Sequence, residues 1–281
     1  GMAPLERGVT VHAILEGVMK EYCGRNLQAV PETELRRSVA SRGREALEKS
    51  RPAGIPDLLW EIERDTILGL LDEWIVYEKE RAGEDLSPAG LEQAFGNIAP
   101  GENHPAFRLA AGRHAFDFRG RIDRVDLSGD GKRARVIDYK TGSLPDTMTR
   151  KTRTPLMSGE RIQIAVYRGA LSALEAFQNV EEVEGEYLHL QQKDGRVARC
   201  FFSAGELREA ARNLPEILSI LGDGIENGRF FARTAGSGWP GGHCSYCDYL
   251  PICGKDRTQR EERKAADPAV RKFLGILETD Q

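Results

Sequence analysis

Hydrophobic residues in the first third of the chain recur at the three- and four-residue spacing of amphipathic helices. Three such segments cover residues 8–22, 32–49 and about 56–81. The apolar positions of the first are Val11, Ile14, Leu15, Val18, Met19 and Tyr22. The predicted buried positions of the third are Leu59, Ile62, Ile67, Leu70, Leu71 and Trp74. Pro52 and Pro56 separate the second segment from the third, because proline lacks an amide N–H and interrupts helices.

From Leu91 onward an alternating apolar–polar pattern replaces the helical one, and this alternation is typical of half-buried strands. It covers residues 91–95, 116–118, 184–190 and 196–202, and the two segments that flank Ser128–Gly131. Glycine and aspartate in that linker favour a tight turn, so we predict a hairpin there. Further helices are predicted over 163–174 and 204–226. A mixed sheet flanked by helices is an α/β architecture.

The bulk composition indicates a globular chain of enzyme size. Of its 281 residues, 40% are hydrophobic and 30% charged, so it can bury a full core as one domain or as one domain with an appendage. We find no run of about 18 apolar residues and no secretory signal, and we expect a cytoplasmic protein without a membrane span. The net charge of −4 argues against a protein that coats nucleic acid through electrostatic attraction. It does not exclude a nuclease, because bound cations offset the negative charge of metal-binding carboxylates.

Two carboxylates and a lysine lie on the predicted hairpin. Asp123 ends a Gly-Arg-Ile-Asp segment, and Asp138 and Lys140 belong to Ile-Asp-Tyr-Lys-Thr-Gly. Because side chains alternate along a strand, Asp138 and Lys140 face the same side, and the hairpin brings Asp123 beside Asp138. Clustered carboxylates bind a hard divalent cation, and a lysine beside them neutralises developing negative charge. This arrangement fits phosphodiester hydrolysis, although an isolated Asp-x-Lys pair is usually only a solvated strand face.

Two predicted helices carry polar residues that suit the same site. His12 lies at the edge of the apolar stripe of the first helix; such a histidine is commonly a core or surface residue, but neutral imidazole also binds divalent metals. Glu16, one turn later, is either its supporting partner or a solvated charge. Gln163 and Tyr167 share one helix face. Their amide and phenol groups can hold the lysine, a water or a phosphate oxygen, or they form the wet edge of a packed helix.

Basic residues concentrate in two further places. Residues 149–153, Thr-Arg-Lys-Thr-Arg, follow the Lys-Thr-Gly turn, and we interpret them as a loop that grips phosphate, against the alternative of an ordinary solvated loop. The second group alternates with glutamates, which a solvent-facing helix explains. Its members are Arg257, Arg260, Arg263 and Lys264.

Taken in order, the segment from Gly8 to Glu16, the two hairpin motifs and Gln-x3-Tyr resemble the RecB-type nuclease family of the PD-(D/E)XK superfamily. That family includes the nuclease domains of the RecB and AddB helicase–nucleases and the Cas4 nucleases, and the resemblance extends to about Cys253. It implies a restriction-endonuclease-like core and a Mg²⁺- or Mn²⁺-dependent DNA exonuclease of repair and recombination. We expect residues 1–88 to form a helical part, 89–230 the nuclease core and 231–281 a cysteine-containing segment, within one compact domain.

The resemblance also implies a role for each residue. The metal ligands would be His12, Asp123, Asp138 and the backbone carbonyl of Tyr139. Lys140 would orient the attacking water or stabilise the transition state, and Gln163 and Tyr167 would support the site and contact DNA. Glu92 would approach the metal from the first strand, whereas its position in the alternating pattern alone predicts an outward-facing residue.

Three of the five cysteines, Cys244, Cys247 and Cys253, form a Cys-x2-Cys-x5-Cys run. Clustered thiolates in a reduced chain suit zinc or an iron–sulfur cluster. The run resembles the C-terminal part of the iron–sulfur staple of AddB and Cas4 proteins, whose fourth cysteine lies upstream of the histidine motif. The eleven residues before His12 contain no cysteine. Either this chain lacks the fourth ligand of a [4Fe–4S] cluster, or another residue supplies it, with Cys23, Cys200 and His243 as the candidates.

These features favour a fragment of a helicase–nuclease that acts on DNA, with single-stranded ends as the expected substrate and a helicase domain or subunit as partner. No Gly-x4-Gly-Lys-Ser/Thr segment occurs, so we do not expect the chain itself to be a motor. Two alternatives are a catalytically inactive DNA-binding module, because a fold does not determine its function, and a zinc-binding structural or interaction domain centred on the three cysteines.

Overall fold

The computed structural model describes residues 1–81, 84–144, 148, 153–156, 159, 161–191, 195–230, 244, 247–253 and 256–278. Two of the predicted features fall at its gaps: residues 149–152 of the basic loop, and His243, lie outside the described residues. None of the helices found within the described ranges has an apolar stretch long enough to cross a membrane.

Three long helices open the chain, as predicted: α1 (Pro4–Glu21), α2 (Glu32–Ser50) and α3 (Asp57–Glu80). Pro56 is the N-cap of α3, where its missing N–H costs nothing because the first amides of a helix have no partner inside it. The later turns of α3 bury Ile67 and Trp74 as predicted. Helix α2 packs between α1 and α3, and all three helices lie where the apolar spacing predicts them.

The predicted buried face is wrong for the first two turns of α3. Leu59 and Ile62 are 49% and 55% exposed, whereas Trp60 and Glu63 are buried. Trp60, Glu63 and Ile67 follow the three- and four-residue spacing, and Leu59 and Ile62 lie one residue off that stripe. A charged residue occupies the stripe because Glu63 forms an ion pair with Arg7 of α1 at 2.6 Å. A search for apolar periodicity therefore selects Leu59 and Ile62 in place of the buried Trp60 and Glu63.

Seven strands follow within the described residues: β1 (Ser87–Phe95), β2 (Phe107–Ala111), β3 (His114–Phe118), β4 (Gly120–Leu127), β5 (Arg133–Lys140), β6 (Glu182–His189) and β7 (Ala198–Phe202). Five of them form one sheet in the order β1-β4-β5-β6-β7, and β2 and β3 form a separate antiparallel hairpin. The β5–β6 pair is parallel and the others are antiparallel. The sheet is therefore mixed, as predicted.

The predicted β4–β5 hairpin is present. The amide of Ser128 donates to the carbonyl of Arg133 at 2.9 Å, and Gly131 has a φ of 74°, which glycine adopts without a Cβ clash. The ladder between β4 and β5 ends at the pair of Arg124 and Ile137, while β5 continues beside β6 as far as Lys140. The two strands therefore diverge where Asp123 and Asp138 lie.

Helices cover both faces of the sheet. Helix α4 (Gln163–Ser172) lies in the crossover between β5 and β6, and α5 (Ala204–Glu226) follows β7. With the inner faces of β4 and β5 these two helices enclose one core, and α1 to α3 enclose a second core on the opposite face. A mixed sheet with helices on both sides is the predicted α/β, restriction-endonuclease-like architecture, which is confirmed.

Three helices end the described chain: α6 (Leu250–Cys253), α7 (Arg257–Lys264) and α8 (Pro268–Glu278). Helix α8 returns to α5 and contributes Ile276 to the core beside it. The side chains of Arg260, Arg263 and Lys264 in α7 are exposed, as predicted for a solvent-facing helix. The division at residues 88 and 230 stays a prediction.

A buried ionic cluster connects α3 to the sheet behind the diverging strands. Arg124 of β4 is 2% exposed and donates to both carboxylate oxygens of Asp126, at 2.6 and 2.7 Å. It also donates to both oxygens of Glu78 of α3, at 2.7 and 3.2 Å, and to the hydroxyl of Tyr139 at 3.1 Å. One guanidinium therefore ties α3, β4 and β5 together.

Candidate active site

The candidate site begins where β4 and β5 diverge. Asp123 is the first residue of β4 beyond the ladder, and the amide of Tyr139 donates to its Oδ2 at 2.8 Å instead of to a strand carbonyl. Asp138 and Lys140 point to the same face, as the alternation of strand side chains requires, and Asp138 is 1% exposed. Both aspartates lie where the strands diverge, and the charge of Asp138 contributes to the raised pKa of Asp123.

His12 reaches the same place from α1. Its Nε2 lies 3.1 Å from the carbonyl oxygen of Tyr139, and its Nδ1 lies 3.6 Å from Oδ2 of Asp123. Burial lowers the pKa of His12, although the negative charge of Asp138 acts to raise it. The imidazole is therefore neutral at pH 7. A neutral ring that donates its Nε2–H to the carbonyl turns the lone pair of Nδ1 toward the carboxylate of Asp123. When Asp123 is ionised, two electron-rich atoms thus face each other, as ligands of one cation do.

Glu92 joins this pair from β1. Its position lies opposite Asp123, between the register pairs Leu91–Arg124 and Gln93–Ile122, and its φ of 43° is the one positive value that the structure assigns to a described non-glycine residue. A left-handed backbone costs a residue with a Cβ about 1–2 kcal/mol. The ligand atoms of His12, Glu92 and Asp123 lie within 4.8 Å of one another. The outward orientation that the alternating pattern predicts for Glu92 is therefore wrong.

Four side chains form a closed network beside this cluster. Nζ of Lys140 lies 2.5 Å from Oδ2 of Asp138 and donates to Oε1 of Gln163 at 3.1 Å. The amide of Gln163 donates to the hydroxyl of Tyr167 at 2.6 Å, which donates to Oδ1 of Asp138 at 3.5 Å. Gln163 and Tyr167 share the helix face that their spacing predicted, and they hold the lysine. Asp138 thus faces Lys140 and Tyr167 and is outside the three-residue group of His12, Glu92 and Asp123.

The carboxyl groups of the site are crowded and poorly solvated. Burial and the charge of Asp138 raise the pKa of Asp123 to about 8. Burial also raises the pKa of Asp138, although Lys140 opposes the shift, and burial and the charge of Glu16 raise the pKa of Glu92. A divalent cation opposes these shifts, because its charge favours the ionised carboxylates.

The side chains present fit a hard divalent cation. Carboxylate oxygens and a neutral imidazole are ligands that such ions accept. Oδ2 of Asp138 is buried and has no hydrogen-bond donor among the described residues apart from the close ammonium of Lys140, so it retains capacity to accept. Glu16 forms an ion pair with Lys20 at 2.8 Å on the surface of α1. This agrees with the interpretation of Glu16 as a solvated charge, not with a supporting partner of His12.

We expect the metal-free protein to lose stability as the pH rises from about 6.5 to about 8.5. The carboxyl of Asp123 has an ordinary pKa of 3.8 when unfolded and about 8 when folded. The folded chain binds this proton more tightly than the unfolded chain and is stabilised by it. As the pH rises through that window the folded chain loses the proton, and the free energy of unfolding falls by at most about 1.4 kcal/mol per pH unit. Thermal unfolding in EDTA at the two pH values measures the loss.

The matched control for this prediction is Asp123→Asn, which cannot titrate. The ordinary pKa of histidine is 6.5, and the lowered pKa of His12 makes the stability rise with pH below that value. The two pH values of the comparison are therefore not taken below 6.5. Added Mg²⁺ should stabilise the unsubstituted protein more at the higher pH, because the ion prefers the ionised carboxylate. An equal pH dependence in the unsubstituted protein and in the Asp123→Asn variant would contradict the assignment.

The predicted cysteine ligands form no disulfide bond. The amide of Cys247 donates to the carbonyl of Cys244 at 3.3 Å, and Cys253 ends the short helix α6. Cys200 is buried in β7, where Nε of Arg153 donates to its sulfur at 3.2 Å, and Cys23 is exposed. Binding of a metal or a cluster by Cys244, Cys247 and Cys253 stays a prediction.

Comparison with known proteins identifies the family of the chain. A family model described as the PD-(D/E)XK nuclease superfamily matches residues 1–254, which include all of β1 to β7 and every residue of the candidate site. No curated protein matches the chain. Since the match covers far more than half of the sequence, the chain belongs to the PD-(D/E)XK nuclease superfamily, whose members are metal-dependent nucleases.

Proposed function

We propose that the protein hydrolyses phosphodiester bonds of DNA with the help of Mg²⁺ or Mn²⁺. The observation that carries the proposal is the meeting of two groups at one end of the sheet. One is the cluster of His12, Glu92 and Asp123, and the other is the network that holds Lys140 beside Asp138. A cation site next to a fixed ammonium group suits a reaction in which negative charge develops on phosphate oxygens.

The cation would be held by Asp123, Glu92 and Nδ1 of His12, with Asp138 as a further carboxylate. The carbonyl of Tyr139 would join them after it releases Nε2 of His12. When bound, the ion supplies Lewis acidity that polarises the phosphate and lowers the pKa of a bound water. Tyr139 positions two of the ligands through its backbone, since its N–H holds Asp123 and its carbonyl holds His12. Its side chain is anchored behind the sheet by Arg124, so the backbone of the site is held from both sides.

Lys140 acts on the reacting phosphate or on the attacking water. Its ammonium group is aimed by Asp138 on one side and by Gln163 on the other, and Tyr167 fixes Gln163 in turn. A group held in this way needs little reorganisation when the transition state forms, so its charge stabilises the developing oxyanion effectively. Gln163 and Tyr167 are therefore supporting residues, and their polar groups are also available to DNA.

We further propose a RecB-type exonuclease that acts on single-stranded DNA ends in the cytoplasm beside a helicase domain or subunit, in repair and recombination. The order of the motifs supports this assignment, since it resembles that of RecB, AddB and Cas4 nucleases. In the same scheme Cys244, Cys247 and Cys253 bind a [4Fe–4S] cluster with a fourth ligand, or zinc. Analysis of the purified protein for iron, acid-labile sulfide and zinc distinguishes these two groups.

The test of the proposed reaction is the cleavage of end-labelled linear single-stranded DNA. We expect degradation with Mg²⁺ or Mn²⁺ and none in EDTA, because the carboxylates of the site need a cation to act on phosphate. A label at either end reports the polarity of cleavage. Degradation that persists in EDTA, or a sample that binds DNA but never cleaves it with either ion, would contradict the proposal; the second result would favour a catalytically inactive DNA-binding module.

A further inference from the structure

Strand β6 lies beside the end of β5 that carries Asp138 and Lys140. The two strands run parallel, and their register pairs Asp138 with Tyr187 and Lys140 with His189. The side chains of paired residues lie on the same face of a sheet, so Tyr187 and His189 share the face of Asp138 and Lys140. Both are buried, with 1% and 3% of their surface exposed. The candidate site therefore has a supporting layer on β6.

Tyr187 supports Lys140 and one of its partners. Its ring centroid lies 5.7 Å from Nζ of Lys140, and its hydroxyl accepts from the amide of Ile164 at 3.4 Å. Ile164 follows Gln163, whose side chain accepts from Lys140 at 3.1 Å. The lysine and the first turn of α4 thus rest on one ring of β6.

His189 holds the chain where it leaves the sheet after Lys140. The amide of Leu190 donates to the carbonyl of Lys140 at 2.9 Å, and Nδ1 of His189 donates to the carbonyl of Gly142 at 2.8 Å. Gly142 is exposed, and glycine has more backbone freedom than any other residue. The imidazole therefore restrains a residue that has little restraint of its own, two positions after the lysine.

Thr141 connects the same turn to α1. A Cβ placed on Gly8 would lie 3.7 Å from Oγ1 of Thr141, which is an ordinary packing distance. Gly8 lies four residues before His12, on the same face of the helix. The restraint on Gly142 therefore acts next to both the lysine and the helix that carries His12.

The stability of the fold does not explain a histidine at this position. Burial lowers the pKa of His189, although the hydrogen bond to Gly142 opposes the shift, so the ring is neutral at pH 7. Because Nδ1 carries the proton, Nε2 has a bare lone pair, and this atom is buried without a hydrogen-bond partner among the described residues. An unpaired buried acceptor is destabilising, whereas the carbonyl of the exposed Gly142 is accessible to water. Leucine would therefore suit the fold at least as well.

We infer that His189 is a positioning residue of the candidate active site, which restrains the turn at Gly142 so that Lys140 keeps its place beside Asp138. The inference rests on the proposed nuclease function and adds to it a residue whose buried ring does not reach the substrate. A displacement of about 1 Å at a reacting group can lower a rate about 100-fold. Loss of this bond should therefore lower kcat and leave the KM for DNA unchanged.

The test compares two substitutions that should affect stability and positioning in opposite order. His189→Leu removes the donor to Gly142 and also the unpaired Nε2, so it should unfold within about 3 °C of the unsubstituted protein or above it. His189→Asn retains a donor at the position of Nδ1 but leaves a void, so it should unfold about 4 °C lower. His114→Leu is the matched control, since it removes a ring on β3 that is bonded to Asp223 of α5 at 2.9 Å.

We expect His189→Leu to lower kcat on end-labelled DNA about 10- to 100-fold and His189→Asn to lower it less than about threefold, with KM unchanged in both. His114→Leu should cleave at the normal rate. A residue with only a structural role would instead lose activity in the order of stability, with His189→Asn the more affected. The inference is overturned if His189→Leu cleaves normally or fails to fold, or if activity follows the unfolding temperature.

Backbone relaxation measured by NMR separates this inference from the proposed function, because it does not require cleavage. The amide of Gly142 should have an order parameter of about 0.85 in the unsubstituted protein and in His189→Asn, and below about 0.6 in His189→Leu. A protein that shows this difference but never cleaves DNA would refute the nuclease and support the restraint. Equal order parameters in the three proteins would refute the restraint, whether or not the protein cleaves.

Discussion

Lys140→Ala is expected to lower the rate of DNA cleavage about 100- to 1,000-fold, the loss that follows removal of one fixed group that stabilises transition-state charge. The substitution has a second effect, because it leaves Asp138 without its ion pair. Burial already raises the pKa of that carboxyl, and loss of the ammonium raises it further and weakens cation binding. The measurement is the initial rate on end-labelled single-stranded DNA with saturating Mg²⁺.

Lys132→Ala is the matched control for this experiment. Lys132 lies at the exposed turn between β4 and β5 and forms an ion pair with Glu181 at 2.6 Å, so its removal changes the charge of the protein equally but leaves the site intact. Its rate should equal that of the unsubstituted protein, and thermal unfolding of each variant establishes that it is folded. Normal turnover by Lys140→Ala would refute the role of this lysine and, with it, the proposed mechanism.

Arg124→Met is expected to destabilise the fold by about 3–5 kcal/mol, the range found when one partner of a buried ion pair is removed. Methionine is similar in length but cannot satisfy the carboxylates of Glu78 and Asp126, which are both buried. Arg81 is the remaining cation near Glu78, at 3.5 Å, and Asp126 loses both of its short hydrogen bonds. Urea denaturation of the two proteins gives the difference in the free energy of unfolding.

Arg108→Met provides the comparison. Arg108 forms the same type of pair, with Asp117 at 2.9 Å, but the two side chains are 67% and 55% exposed, and an exposed pair contributes about 0–1 kcal/mol. If Arg124→Met cost no more than Arg108→Met, the buried cluster would not stabilise the fold. Because Arg124 also holds the hydroxyl of Tyr139, the surviving folded fraction should cleave DNA more slowly as well.

The sequence was sufficient to predict most of the secondary structure and the hairpin that brings Asp123 and Asp138 together. Local rules suffice there, because the turn at Ser128–Gly131 and the alternation of side chains determine which residues face each other. The shared face of Gln163 and Tyr167 follows equally from helix geometry. The approach of His12 could not be derived from spacing, and it came from resemblance to a family.

Two features escaped reasoning from residue patterns alone for physical reasons, although resemblance to a family places Glu92 near the metal. Glu92 joins the cluster through a positive φ, and a period-two pattern assumes that every residue of a strand has extended dihedrals. Glu63 of α3 occupies a core position because Arg7 compensates its charge across 56 residues of sequence. A pattern search that treats every charged residue as outward-facing therefore misplaces the buried face of α3. For the same reason it does not predict that Arg124 and Asp126 are buried.

The distance in sequence between His12 and Tyr139 has a consequence for the growing polypeptide. Their contact spans 127 residues, and Lys140 needs Gln163, 23 residues further on. A chain that leaves the ribosome from its N-terminus can form α1 early, but α1 has no sheet to dock against until β4, β5 and the helix after them have been made. Cation ligands and lysine thus assemble together, and an unfinished chain carries no complete cleavage site while nucleic acids surround it.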